Sequence, residues 1–283
     1  MAGDGGALIP EQRRERLLGL LEREIVLSVR QLTDLLGVSH MTVRRDIATL
    51  EAEGRAVSVA GGVRAAGRVR AEPSYAVKAV TDVGLKAAIA RQAAAHLRPG
   101  ATLFLDAGTT VGALVPHLLE VGDLTVVTND FTTLARLMDT EIALVHVGGR
   151  VESRNRSSVG RLAAATLGSL NVDVAFLSAS SWDGARGVTT PSESKIELKQ
   201  TALRVTSAAV LLADTTKYGT FSVHRVAALE DFDEVITDDG LDDSIRQDLA
   251  ERGVRLTTAA AEPAESVPSG RSAQPVEAAQ GVP

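Results

Sequence analysis

An α/β main domain with a mostly parallel sheet, preceded by a small N-terminal helical domain ending in a hairpin, is the fold class predicted for this chain of 283 residues. Two observations carry the prediction. From residue 86 onward, short apolar runs rich in β-branched residues (102–105, 124–128, 142–147, 172–177, 208–213 and 234–236) alternate with helical stretches at 86–97, 111–119, 131–138, 160–168, 193–206 and 241–252. Brief strands without surface alternation, separated by amphipathic helices, are the pattern of a parallel sheet covered on both faces. The first 65 residues have another texture, with three helix signatures and a Gly-Gly turn.

In the N-terminal part, Leu17, Leu18, Leu20, Leu21 and Ile25 recur at helical spacing from Pro10 to about Glu24. Ser28 is placed to cap a short helix built on Leu32, Leu35 and Leu36, which Gly37 ends because glycine tolerates a left-handed exit. Ser39 caps a third helix that runs to about Glu53 and stops at Gly54. Strands around Val57 to Val59 and at Val63 are joined by Gly61-Gly62. The expected organisation is a head at 10–65, a basic linker at 66–85, the α/β domain at 86–258 and a tail at 259–283. The tail holds four of the nine prolines and too few apolar residues to fold, so it is expected to be disordered.

Composition removes several function classes. The absence of cysteine excludes disulfides, thiolate metal sites and cysteine nucleophiles. The first ten residues lack a basic, apolar leader, and no run approaches the length of a membrane span, so a cytoplasmic protein is expected. The net charge of −6 belongs wholly to residues 67–283, because nine cations balance nine anions in residues 1–66. That balance argues against non-specific coating of nucleic acid but allows a small reading head with placed arginines.

At 100° per residue, Val43, Ile47 and Leu50 share one arc of the third helix. Arg45 projects opposite, among Met41, Thr42, Ala48 and Thr49, with Arg44 at the boundary and His40 near the helix start. Small residues for close approach, an arginine for guanine edges and hydroxyls for phosphates suit a helix lying in the DNA major groove. The same pattern fits a solvated face on which Arg45 pairs with Asp46 or Glu53, and geometry alone leaves both readings open. The stretch VSHMTVRRDIATLEAEGRAVSVAGGV, however, resembles the signature of DeoR-family bacterial transcription regulators, through Val38, Ser39, Thr42, Arg44, Arg45, Asp46, Leu50, Glu51, Gly54, Gly61 and Gly62. The resemblance implies a winged helix-turn-helix that binds operator DNA through Ser28, Ser39, His40, Thr42, Arg44, Arg45, Thr49 and Arg55. Ser58 and Ala60 stand where such wings usually carry an arginine and a histidine, with Arg55 and Arg64 as the available substitutes.

In the second domain, polar and glycine residues follow several strands: Asp106-Ala107-Gly108-Thr109-Thr110, Thr128-Asn129-Asp130, Gly148-Gly149-Arg150 and Asp214-Thr215-Thr216-Lys217. Open parallel sheets bind ligands at their carboxyl ends, and a glycine with two hydroxyl residues at a helix start can cradle an anion. An ordinary threonine-capped turn is the alternative. The order also resembles the DeoR-family effector domain, through Lys86-x-x-Ile89-Ala90, Asp106-x-Gly108-Thr109-Thr110, Thr128-Asn129, Gly148-Gly149, Val159-Gly160, Gly187-x-Thr189-Thr190 and Asp214-x-x-Lys217.

That resemblance implies a ribose-5-phosphate-isomerase-like fold and a pocket for a phosphorylated sugar or related metabolite. It places the phosphate at Gly108, Thr109 and Thr110, sugar hydroxyls at Asp106 and Asn129, and a cation at Lys217. Thr128, Lys199 and Asp214 complete the expected effector site. Lys195 replaces a glutamate common in the family, and Lys78 stands near a common arginine. Lys195 and Lys199 lie four apart and read as a solvated face in preference to extra positive charge for a more anionic ligand.

The reading is therefore a metabolite-responsive, DNA-binding regulator, a repressor and homo-oligomer, with no cofactor, no metal and no membrane partner. A sugar-phosphate isomerase-like enzyme with an accessory nucleic-acid-binding head is the alternative. No second acid completes a catalytic constellation around Asp106, and His40, His96, His117, His146 and His224 lack metal-ligand spacing.

Overall fold

The computed structural model describes residues 8–21, 27–59, 62–67 and 69–260. The head comprises helices α1 (Pro10–Leu21), α2 (Val29–Leu36) and α3 (His40–Ala52), then an antiparallel hairpin of β1 (Ala56–Val59) and β2 (Gly62–Ala65). Ser28 closes a capping box with Gln31, and Gly37 leaves α2 at φ 66°, in the left-handed region that glycine tolerates. Leu17, Leu21, Leu32, Val43, Ile47, Leu50 and Val63 make a core of the head's own. The hairpin also reaches the second domain: Val57 packs in that domain's core beside Gly219, where an added Cβ would lie 2.1 Å from Val57 Cγ2.

Residues 66–85 correct the expected linker. They carry α4 (Tyr75–Val80) and the start of α5 (Val83–Ala93), and the extended stretch before α4 is strapped onto the α/β domain. Val69 N donates to Phe221 O at 2.7 Å, Arg154 Nε to Glu72 O at 3.0 Å and Tyr75 N to Arg154 O at 2.9 Å.

The main domain continues with β3 (Thr102–Leu105), α6 (Thr109–Gly112), α7 (Val115–Val121), β4 (Thr125–Thr128), α8 (Phe131–Leu137), β5 (Ala143–His146), β6 (Arg150–Glu152), β7 (Ser157–Val159) and α9 (Arg161–Gly168). It then adds β8 (Val172–Ser178), β9 (Ser181–Asp183), β10 (Gly187–Thr190), α10 (Ile196–Val205), β11 (Thr206–Leu212), β12 (His224–Ala227), β13 (Glu234–Asp238), α11 (Asp243–Glu251) and β14 (Leu256–Ala259). Seven strands form one parallel sheet in the order β14-β13-β11-β8-β3-β4-β5. Successive residues point to opposite faces, so Leu103 and Leu105 join one core while Phe104 joins the other.

All six predicted strands are present. The sequence reading missed β14, whose last residue, the buried Ala259, moves the tail boundary outward; residues 261–283 lie outside the described residues. It also missed the short strands of the two smaller sheets, β6-β7 and β12-β10-β9.

The strand order fixes where a ligand can enter. From β3 the chain steps to β4 and β5, then returns to the other side of β3 with β8 and continues outward to β14. The reversal opens a crevice between the carboxyl ends of β3 and β8, the place where open α/β sheets bind ligands. Asp106 and Ser178 stand at its two lips, and Ser178 N and Oγ donate to Asp106 Oδ2 at 3.0 and 2.7 Å.

Candidate functional site: a reading helix and a cationic crevice

On α3, Val43, Ile47 and Leu50 are buried as the helical arc predicts. Asp46 is also buried and accepts from Arg13 of α1, with Arg13 Nη2 3.0 Å from Asp46 Oδ1. This pair locks α3 against α1 and removes Asp46 as a partner for Arg45. Arg44 and Arg45 are exposed and make no ion pair among the described residues, with His40 and Met41 exposed alongside. Ser39 Oγ accepts from Thr42 N at 3.2 Å as the N-cap, and Thr42 Oγ1 lies 2.9 Å from it.

Three expected contacts are otherwise engaged. Ser28 is committed to its capping box, Thr49 Oγ1 donates to Arg45 O at 3.0 Å, and Arg55 Nη2 pairs with Glu15 at 2.6 Å. Arg64 is not a wing cation either. It is buried with Nε and Nη2 unpartnered, and burial pushes its guanidinium down to about 10.

The crevice opens into a cavity of about 370 Å³ between the strap, the β3–α6 turn, the end of β8 and α10. Five lysines line it, Lys78, Lys86, Lys195, Lys199 and Lys217, facing Glu72, Asp82, Asp106 and Asp214. Lys199 pairs with Asp106 and donates to Ser178 O at 2.7 Å, with both charged side chains buried. Lys217 lies 2.8 Å from Asp214. Both Glu72 oxygens lie 2.9 Å from Lys195 Nζ, Lys78 Nζ is 3.2 Å from Oε2, and the Ser180 hydroxyl donates to Oε1. Burial by itself would raise the Glu72 carboxyl, but Lys195, Lys78 and Ser180 outweigh it and hold it at about 2. Lys86 is the exception, since its ammonium donates only to the backbone carbonyls of Lys78 and Thr81. Burial and the neighbouring Lys217 depress it.

The expected effector residues divide. Asp106, Gly108, Thr109, Thr110, Asn129, Lys199, Asp214 and Lys217 all line the cavity. Thr128 does not: it is fully buried, donates from Oγ1 to Leu105 O at 2.7 Å and accepts from Asp130 N at 3.0 Å. Asn129 reaches the wall, but Oδ1 accepts from Ala107 N at 2.8 Å and Nδ2 donates to Ser158 O at 3.0 Å, so its amide braces the turn. Gly108 N donates to Asp130 Oδ2 at 3.3 Å, which leaves the turn beginning at Thr109 for an anion. A Cβ at Gly108 would meet Ser178 Cβ at 2.7 Å, so only glycine lets the turn approach β8 this closely. The solvated-face reading of Lys195 and Lys199 is overturned, because Lys199 is buried against Asp106 and the half-buried Lys195 turns inward to pair with Glu72.

Glu72, Ser178 and Ser180 were missed by the sequence reading. Glu72 carries a signal in retrospect, as the lone acid in the basic stretch 64–80.

A three-helix head with a hairpin wing, joined to an α/β domain with a charged crevice, defines a DNA-binding transcription regulator with a sensor domain. The comparisons agree: residues 13–69 match the DeoR-like helix-turn-helix domain and residues 81–239 the DeoR C terminal sensor domain. The Escherichia coli K12 HTH-type transcriptional regulator YgbI is 43% identical over 253 residues, covering 89% of this chain and 99% of that protein. Transcriptional repressor AccR of Agrobacterium fabrum is 31% identical, covering 81% and 90%. Among solved structures, ribose 5-phosphate isomerase A of Methanocaldococcus jannaschii aligns at a TM-score of 0.35 and 18% identity, covering 47% of this chain and 53% of that one. The chain belongs to the DeoR family of transcription regulators. Among the described residues, no helix is long and apolar enough to cross a membrane.

Proposed function

We propose that this chain is a cytoplasmic repressor, acting as a homo-oligomer, whose hold on operator DNA is set by a phosphorylated sugar or related metabolite in the crevice. Two heads would grip two half-sites, with Arg45 and Thr42 toward bases and Ser39, Arg44 and the α3 N-terminus toward phosphates. Relatives named as repressors support the sign of regulation. The observation that carries the ligand class is Lys86, a buried cation in the cavity wall that forms no ion pair among the described residues, on the same cavity as the Thr109-Thr110 turn. Asp214 and Asp82 favour its charge from a distance, but burial and Lys217 outweigh them, and an anion arriving beside it relieves that cost.

A non-enzymatic role fits the carboxylates. Glu72, Asp106 and Asp214, the three buried acids of the cavity, are each paired with a lysine, which leaves none of them placed as a free base. The ligand acts on DNA binding by favouring one arrangement of the heads over another, through the strap that joins them to the cavity.

The test is a thermal-shift screen of the full chain against phosphorylated sugars, their unphosphorylated parents and free phosphate. A ligand at 100 times its dissociation constant adds about 2.7 kcal/mol, a shift of several degrees. A hit that requires both sugar and phosphate supports the reading. Turnover of that hit on incubation would replace it with the enzyme reading.

A further inference from the structure

Lys195 and Lys199 stand one turn apart at the start of α10, yet each grips a different partner. Lys199 holds Asp106 and Ser178 at the lip of the sheet, next to Gly108 and the Thr109-Thr110 turn. Lys195 points to Glu72, which Lys78 and Ser180 also hold. Four residues of helix rise about 6 Å, the span of a few carbon atoms. The cavity thus has two cationic ends, and at one of them a carboxylate from the protein itself is already bound.

That carboxylate is unlike the other two. Asp106 directly follows one sheet strand, and Asp214 lies two residues beyond the end of another. Glu72 belongs to the extended strap between the head hairpin and α4, and its side chain is delivered from outside the sheet into the cavity. Lys78 makes a further bond to Asn155 Oδ1 at 2.9 Å, which keeps its ammonium in place whether or not Glu72 is present. Glu152 Oε2 stands 3.9 Å from Lys195 Nζ, buried and without a hydrogen bond, and Glu152 does not line the cavity.

We infer that Lys78, Lys195 and Ser180 form a carboxylate subsite, that Glu72 fills it in the ligand-free chain, and that the ligand is a phosphorylated sugar acid whose carboxylate displaces Glu72. The inference rests on the proposed function for the phosphate end and adds the second anionic group. Charge supports it. With Glu72 in place the cavity wall balances five lysines against four acids; with Glu72 withdrawn it gains a further net positive charge, which a carboxylate at the other end of the ligand matches. The displacement also gives the ligand a handle on the strap, and through it on the head, since Glu72 is three residues from the pairing of Val69 with Phe221 and one from Pro73.

The experiment is calorimetric titration of the full chain with phosphoerythronate, phosphoribonate and phosphogluconate, each against the phosphate of the alditol of equal length and against the unphosphorylated acid. At least one phosphorylated acid is expected to bind ten-fold or more tighter than its alditol phosphate. Lys195→Met should reduce that preference to within two-fold while leaving the alditol phosphate affinity in place. Glu72→Gln, which removes the internal competitor and keeps the shape, should tighten the acid several-fold and the alditol phosphate much less. Equal affinities in the wild-type chain, or a preference that survives Lys195→Met, overturn the inference and leave the proposed function standing. An unphosphorylated acid that binds as tightly as its phosphate supports the carboxylate subsite and overturns the phosphate part of the proposed function. Silence across the whole panel overturns both.

Discussion

Glu72 and Lys195, 123 residues apart in sequence, meet with both carboxylate oxygens 2.9 Å from the ammonium nitrogen. One residue lies on the segment descending from the head and the other at the start of the helix that walls the sensor cavity. The pair is therefore a direct tie between the two halves of the regulator, and its titration is measurable. The Glu72 carboxyl falls from its ordinary value near 4.5 to about 2, so it stabilises the fold fully above pH 4.5 and loses that contribution as pH falls toward 2. The contribution is about 3 kcal/mol. Denaturant titrations between pH 6 and pH 2 should show this acid loss in the wild type and a flatter profile in Glu72→Gln.

The Asp106–Lys199 pair is buried on both sides, with side-chain exposures of 3% and 6%. Removing one partner strands the other charge, so Lys199→Met should cost about 3–5 kcal/mol in unfolding free energy. The double variant Asp106→Asn with Lys199→Met should cost clearly less than the two single losses added together. Additive losses in that cycle would mean that the two side chains act separately.

The exposed Arg45 side chain makes no hydrogen bond or ion pair among the described residues, so Arg45→Ala should leave the melting temperature within the range of ordinary surface changes. Its effect should fall on DNA: a loss of about 1–3 kcal/mol at the cognate duplex with little change on random duplex, if it makes a bidentate base contact. Anisotropy titrations with both duplexes at one salt concentration separate the two terms.

Gly108→Ala tests the crevice without adding charge. The new methyl would meet Ser178 Cβ at 2.7 Å and Oγ at 2.8 Å, so the turn must move away from β8. Ligand-induced thermal shift should fall by most of its magnitude while DNA binding without ligand stays intact. Thr109→Val with Thr110→Val should do the same by removing hydroxyl donors alone.

Arg64 points the other way. Its guanidinium is buried without a partner at Nε and Nη2, a desolvation cost with no compensating bond. Arg64→Met keeps the stem and removes the charge, and it should raise stability by about 1 kcal/mol, read as a melting shift of a few degrees.

Much of this architecture is legible in the sequence because it rests on local signals. The buried runs that alternate with helices gave the seven-stranded sheet all but its last strand, and Ser28, Gly37 and Ser39 marked real helix ends. Leu256 to Ala259 escaped because a four-residue edge strand beside an Ala- and Pro-rich stretch has little periodicity of its own. The crevice residues after β3 and β11 were visible as polar residues at strand ends, whereas Thr128 and Asn129 share that signature and serve as braces.

The inward placement of Lys195 and Lys199 escaped local reading for a physical reason. Lys195, Leu198, Lys199 and Ala202 fall at i, i+3, i+4 and i+7, which is the inward stripe of α10, and residue type overrode the spacing. Glu72 could not be placed by local reasoning, since its three partners lie 6, 108 and 123 residues away.

The central claim is that one chain couples DNA binding to the crevice. Its most direct test is an anisotropy titration of a duplex selected by the full chain from a random pool, with and without a ligand already shown to raise the melting temperature. The account predicts a ten-fold or larger change in apparent affinity in the wild type, absent in the Thr109→Val, Thr110→Val chain. An affinity that is unchanged by a ligand demonstrably bound to the wild type would contradict it.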